Sequence, residues 1–169
     1  MKLSTRARYA LRAMVVIARH SDAASPMSLE KVAKATRISR RYLEQLAMSL
    51  KGAALLRSVS GRKGGYSLAR PAEQISIGQI VEASIGPINV VECVGSPGIC
   101  IKADLCECRL LYMLINRGIK DVLNRHSLAD LADRDWLRKL GPELAEEFRD
   151  VSDLEDEDLE GHTGCCPVC

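Results

Sequence analysis

The chain has 169 residues, 47% of them hydrophobic, which suffices for one domain with a core of its own and an appendage. No apolar run approaches the ~20 residues of a membrane span, which argues against an integral membrane protein. The net charge of +2 conceals two opposed halves: residues 1–70 carry 15 basic and 3 acidic side chains, a balance of +12, and residues 71–169 carry 9 and 19, a balance of −10. A basic half of that size points to a polyanionic partner, and +12 over 70 residues is more than a merely solvated basic face requires.

The opening MKLSTRARYALRAMVVIARH places basic residues before an apolar patch, as a signal peptide would. Arg12 interrupts the patch and Arg19-His20 offers no small-residue cleavage site, so the expectation is a mature helix in a cytoplasmic protein. Within it, Tyr9 to Ala18 is apolar at Leu11, Met14, Val15 and Ala18, the spacing of a helix face. After a turn containing Pro26, Ser28 is placed to cap a short helix from Leu29 to Ala35. Thr36-Arg37-Ile38 breaks it, and Ser39 is placed to cap a second helix, Arg40 to about Lys51, with Leu43, Leu46, Ala47 and Leu50 inward.

Two short helices joined by so tight a turn form a helix-turn-helix candidate over residues 28–51. In that motif the start of the second helix enters the DNA major groove. The residues so placed are Ser39, Arg40, Arg41, Tyr42, Glu44 and Gln45. Arginine can bond guanine, glutamine adenine, and glutamate can accept from cytosine. A plain helical hairpin with a polar outer face fits the same residues. The next segment favours DNA: Leu55–Ser60 and Tyr66–Ala69 have strand character and flank Gly61-Arg62-Lys63-Gly64-Gly65. A basic, glycine-rich hairpin over residues 55–69 reads as a wing, with Arg62 and Lys63 supplying charge and Gly64 close backbone approach. The expected fold is mainly α with a small β-wing: a winged helix-turn-helix followed by a long dimerisation helix.

Ser76 should cap a helix from Ile77 to Ile85, ended by Pro87. A loop over residues 92–106 follows, and with Cys108 it holds four of the seven cysteines. Cys93, Cys100 and Cys106 are separated by six and five residues, with Gly95, Pro97 and Gly98 in the first gap. Three thiolates on a foldable loop can converge on a soft metal centre, whereas buried apolar cysteines would need a core that a loop lacks. An odd cysteine count in clusters suits a reducing compartment better than a disulfide framework.

Asp104 and Glu107 resemble a capping box that opens a helix over residues 104–124. Leu105, Cys108, Tyr112, Ile115, Ile119 and Val122 repeat at alternating spacings of three and four, a heptad seam suited to a homodimer, with burial inside one subunit as the alternative. Ser127 should start a last helix through Leu140 that contains Trp136. Residues 133–169 read as an acidic, partly disordered tail, with ten acidic and one basic residue from Glu143 to Glu160. Its terminal His162, Cys165, Cys166 and Cys169 could bind zinc, cycle as thiols, or be incidental.

Taken in order, MKLSTRARYALRAM, ISRRYLEQL (Ile38–Leu46), GRKGGYSLAR (Gly61–Arg70), the cysteine loop and SLADL (Ser127–Leu131) give residues 1 to about 132 a specific resemblance. The chain resembles the bacterial iron–sulfur transcriptional regulators typified by IscR and NsrR. The resemblance implies a homodimer on a palindromic double-stranded DNA operator, with one iron–sulfur cluster (2Fe-2S or 4Fe-4S) per subunit held by Cys93, Cys100 and Cys106. The first gap between cysteines is one residue longer than in the IscR branch. That branch places a histidine ligand where this chain has Arg109, and the acidic ligand of the NsrR branch falls on Arg8; a guanidinium cannot coordinate iron.

Cys108 is the nearest substitute as fourth ligand. A helix starting at Asp104 would set Cys106 and Cys108 about 200° apart, so both could serve only if it starts later. Glu92, Glu107, His20 or a small thiol are further options. The function implied is a repressor or dual regulator sensing iron, redox or nitric oxide status. A cluster-free thiol–disulfide DNA-binding switch and an iron–sulfur carrier are the rivals. No phosphate loop or Ser/His/Asp arrangement suggests an enzyme.

Overall fold

The computed structural model describes residues 3–20, 25–61, 64–99, 106–133 and 135. The elements are α1 (Thr5–His20), α2 (Leu29–Thr36), α3 (Arg40–Gly52), β1 (Leu56–Val59), β2 (Gly65–Leu68), α4 (Ile77–Ile85), α5 (Glu92–Gly95), α6 (Glu107–Arg125) and α7 (Leu128–Ala132). The fold is mainly α with one two-stranded antiparallel sheet, as the sequence predicts.

Helix α1 is the axle of the core, packed against α2, α3, α4, α7 and β2. It begins at Thr5, earlier than the apolar pattern suggests, because the Ser4 hydroxyl accepts from the Ala7 amide at 3.2 Å. Its most buried positions are Ala7, Ala10, Met14 and Ile17, while Leu11, Val15 and Ala18 are only partly covered. Small residues on the inner stripe let neighbouring helices approach closely.

The helix-turn-helix forms where expected. Ser28 and Ser39 each cap their helix by accepting an amide three residues on, from Lys31 at 3.4 Å and Tyr42 at 3.3 Å. Arg37 makes the turn in the left-handed region at φ 56°, and the Thr36 hydroxyl closes it by donating to the Val32 carbonyl at 2.7 Å. Leu43, Leu46, Ala47 and Leu50 are all buried. Strands β1 and β2 pair in the register Leu56↔Leu68 to Val59↔Gly65. Met27 adds a reciprocal pair of backbone hydrogen bonds to Tyr66, at 2.9 and 2.8 Å, which ties the wing to the entrance of α2. A Cβ on Gly65 would strike the Met27 carbonyl, so this junction requires glycine.

Helix α4 starts in a full capping box between Ser76 and Gln79 and lies between α1 and α6. Helix α6 is fixed to it at two levels, where the Ser76 hydroxyl meets Asn124 Oδ1 at 3.1 Å and Lys120 pairs with Glu82 at 3.6 Å, and buried Asn116 of α6 accepts from the Val90 amide at 3.0 Å in the segment between α4 and α5. Two expected boundaries are corrected. Helix α6 starts at Glu107 with Cys106 as its N-cap, so Glu107 is its first residue and not the third of a capping box; Asp104 lies outside the described residues. Helix α7 stops at Ala132, where Asp133 turns extended at ψ 126°, rather than running through Leu140. Trp136 and the terminal His162, Cys165, Cys166 and Cys169 lie outside the described residues. Among the described residues, no helix is long and apolar enough to cross a membrane.

Candidate nucleic-acid interface and cysteine centre

The buried leucines of α3 turn its opposite face outward. Arg40, Arg41, Glu44 and Gln45 are all exposed there, within the first two turns. Arg40 Nε pairs with Glu44 Oε1 at 3.1 Å. An exposed pair one turn apart is worth only a few tenths of a kcal/mol, about 0.3–0.5, so either group can leave it for a base at little cost. Ser39 spends its oxygen as a cap acceptor but keeps its hydroxyl proton to donate. Tyr42 is half-buried, its ring edge-on to Tyr9 with centroids 5.7 Å apart, so packing of α3 on α1 holds it.

Between α3 and the wing lies a cleft of about 510 Å³ whose walls include Leu29, Glu30, Arg40, Glu44, Met48 and Tyr66. Gly64 closes the wing turn: its amide donates to the Gly61 carbonyl at 2.9 Å, and a Cβ there would strike the Val59 carbonyl. Gly61 holds φ 118°, a conformation reserved for glycine. Arg62 and Lys63, between these two glycines in sequence, lie outside the described residues.

The cysteine region is built on the root of α6. Cys93 sits on the single-turn helix α5, half-buried, and α5 packs on α6. Cys106 is the N-cap of α6, also half-buried, and its side chain makes no capping hydrogen bond. Arg109 ties α5 to the first turn of α6: its Nε donates to the Cys93 carbonyl at 3.1 Å, while its amide makes the ordinary first-turn helix bond to the Cys106 carbonyl at 3.0 Å. Cys93, Cys106 and Cys108 are free thiols, and Cys108 is exposed on the first turn of α6. Cys100 lies outside the described residues, and among those described no three His, Cys, Asp or Glu gather at one point. The donor set still suits a soft metal, because the half-buried thiols of Cys93 and Cys106 flank one contact and neither is in a disulfide. His20, at the end of α1, is exposed.

The remaining face of α6 is apolar and open. Leu110 and Leu114 are each 66% exposed, Leu111 56%, Val122 53% and Ile115 42%. Of the predicted seam, Tyr112 and Ile119 are half-buried, and Leu105 lies outside the described residues. Three members of that seam, Cys108, Ile115 and Val122, are themselves exposed, so the open face overlaps the predicted seam and extends from it toward Leu110, Leu111 and Leu114.

Two residues stand out that the sequence did not flag. Arg6 Nε donates to the Ser84 carbonyl at 2.6 Å, and its other arm reaches Ser49 Oγ at 2.9 Å. It therefore joins the end of α4, where the chain leaves for the cysteines, to α3. Met48 is the other, 68% exposed on the outward face of α3. Periodicity signals neither, because one is a long-range contact and the other breaks the polar pattern of its face.

The family model for Rrf2, an iron-dependent transcriptional regulator, matches residues 3–134. The chain is 34% identical over 158 residues to the transcriptional regulator IscR of Sodalis glossinidius, covering 94% of this chain and 88% of that one. Among solved structures it is similar to CymR, the global cysteine regulator of Bacillus subtilis, with TM-score 0.64 and 35% identity over 78% of this chain and 96% of that one. It is also similar to IscR of T. potens, with TM-score 0.62 and 30% identity over 78% and 85% of the two chains.

Proposed function

Because this chain belongs to the Rrf2 family of transcriptional regulators, we propose that it is a homodimeric regulator whose grip on a palindromic operator is governed by an iron–sulfur cluster on Cys93, Cys100 and Cys106. The observation that carries this reading is the Arg109 link, which draws the carriers of Cys93 and Cys106 together at the root of α6. Cys108 is the proposed fourth ligand. With Cys106 as an extended N-cap, the helical offset of about 200° does not apply to the pair; Cys93, Cys106 and Cys108 do not gather at one point in this structure, so joint ligation requires them to move together. Arg109 is engaged with a carbonyl and is no ligand.

When bound, a cluster supplies a soft, redox-active cross-link among thiolates that is readily lost. The chain's own contacts carry its consequence to DNA. Asn116 fixes Val90 just before α5, α4 follows the same face of α6, and Arg6 connects the end of α4 to Ser49 on α3. A shift of α5 against α6 would thus reach the angle of the reading helix. Half-sites on one face of DNA lie about 34–36 Å apart, so modest changes in the spacing of two reading helices alter the fit. The open stripe around Leu110, Leu114 and Val122 is the proposed dimer contact.

Protein purified without oxygen is expected to contain iron and acid-labile sulfide and to absorb visible light. Changing Cys93, Cys100 and Cys106 together to Ala should abolish all three. A colourless, iron-free protein that still answers to oxidant would instead establish the thiol–disulfide reading. Direct packing of α5 on α6 and the likeness to CymR favour that reading as the second. Loss of any preference for operator over random DNA would leave only a cluster carrier.

A further inference from the structure

A lone exposed methionine is ordinary on a protein surface, but Met48 stands in a particular line. Arg40, Glu44 and Met48 are spaced four apart on α3 and all three wall the cleft beside the wing. Met48 is 68% exposed, above every other large apolar side chain among the described residues. The opposite face of α3 is filled by Leu43, Leu46 and Leu50, so Met48 adds nothing to the core.

The charge of the cleft decides what can enter it. Among the described residues, its walls carry one arginine against two glutamates, Glu30 and Glu44, and Arg40 is already paired with Glu44. On the α3 side of the cleft these carboxylates outnumber the cation by one, which makes that side a poor seat for a phosphate. It suits base edges. A carboxylate accepts from the cytosine amino group, and an apolar side chain contacts the C5-methyl of thymine.

We infer that Met48 is a specificity-determining residue that reads a thymine methyl group at the wing side of each half-site. The inference rests on the reading of α3 as the helix that enters the major groove. Glu44 and Met48 are separated by about 6 Å of helix rise, from 1.5 Å per residue. That corresponds to one or two base steps of about 3.4 Å. The thymine therefore lies one or two pairs from the base met by Glu44. Burying one methyl-sized group is worth about 0.8 kcal/mol, or roughly fourfold in affinity.

The test uses duplexes that the protein itself selects from a random pool, with each thymine replaced in turn by deoxyuridine, which lacks only the methyl. Native protein should lose about fourfold at one thymine per half-site. Met48→Ala should bind the parent duplex correspondingly less well and show no penalty there, while Met48→Leu, which keeps an apolar side chain, should retain it. Because Met48 is exposed, both variants should keep the native circular dichroism. The inference is overturned if no thymine position is sensitive, if Met48→Ala keeps the penalty, or if it weakens every duplex equally. If native protein selects no sequence at all, the major-groove reading of α3 fails, and this inference with it.

Discussion

Replacing Leu110 and Leu114 by serine tests the open face of α6. Each leucine is 66% exposed in the single chain. Burying a whole leucine side chain is worth about 1.5–3 kcal/mol, so covering the exposed two-thirds yields roughly 1–2 kcal/mol. A two-fold dimer covers each position twice, and four such side chains contribute about 4–8 kcal/mol to association. At about 1.4 kcal/mol per tenfold, the double variant should weaken the dimer by roughly three to six orders of magnitude. Sedimentation equilibrium at micromolar concentration should then find monomer where native protein is dimer. The variant should keep its helical content, because neither residue is buried within the subunit. Operator affinity should fall in parallel, since a monomer contacts one half-site. A double variant that remains fully dimeric would refute the assignment of this face.

Other expectations follow from the reading head and the wing. Arg41→Ala, at an exposed residue of α3, should cost about 1–3 kcal/mol on the selected operator and much less on random DNA, read by fluorescence anisotropy. Neutralising Arg62 and Lys63 together should weaken binding to all sequences. It should lower the slope of log affinity against log salt by roughly 0.9 for each phosphate that is no longer neutralised. Gly65→Ala should lower the midpoint of thermal unfolding and loosen the wing, because its Cβ meets the Met27 carbonyl. Ser39→Ala should destabilise the fold by about 1 kcal/mol through loss of the cap on α3, measured in urea.

The parts of the fold that were legible in the sequence are those in which a local pattern has one physical solution. The leucines of α3 recur at helical spacing and are preceded by a capping serine, and the structure buries all of them. Ser76 and Gln79 specify the start of α4 equally well. The inner stripe of α1 is harder to read, because Ala7 and Ala10 are weak hydrophobic signals although no described residue is more deeply buried. Helix α6 carries apolar residues on more than one face, so periodicity alone does not say which face meets α4; two polar residues, Asn124 and Lys120, fix that. Its start is obscured because Asp104 and Glu107 have capping-box spacing, whereas the helix begins at Glu107 with Cys106 as its N-cap. In the site, residue types point to thiols and arginines. The Arg109 and Arg6 links span long stretches of chain and leave no local trace.

The central claim is that the state of the loop thiols sets how tightly the paired reading helices hold DNA. Its most direct test is the dissociation constant for one selected operator, measured without oxygen on the cluster-loaded protein and again after chelation of its iron. Coupling of this kind is typically about 5–150-fold. A difference in that range, absent when Cys93, Cys100 and Cys106 are replaced by Ala, is the predicted result. Equal constants for loaded and stripped protein would contradict the account.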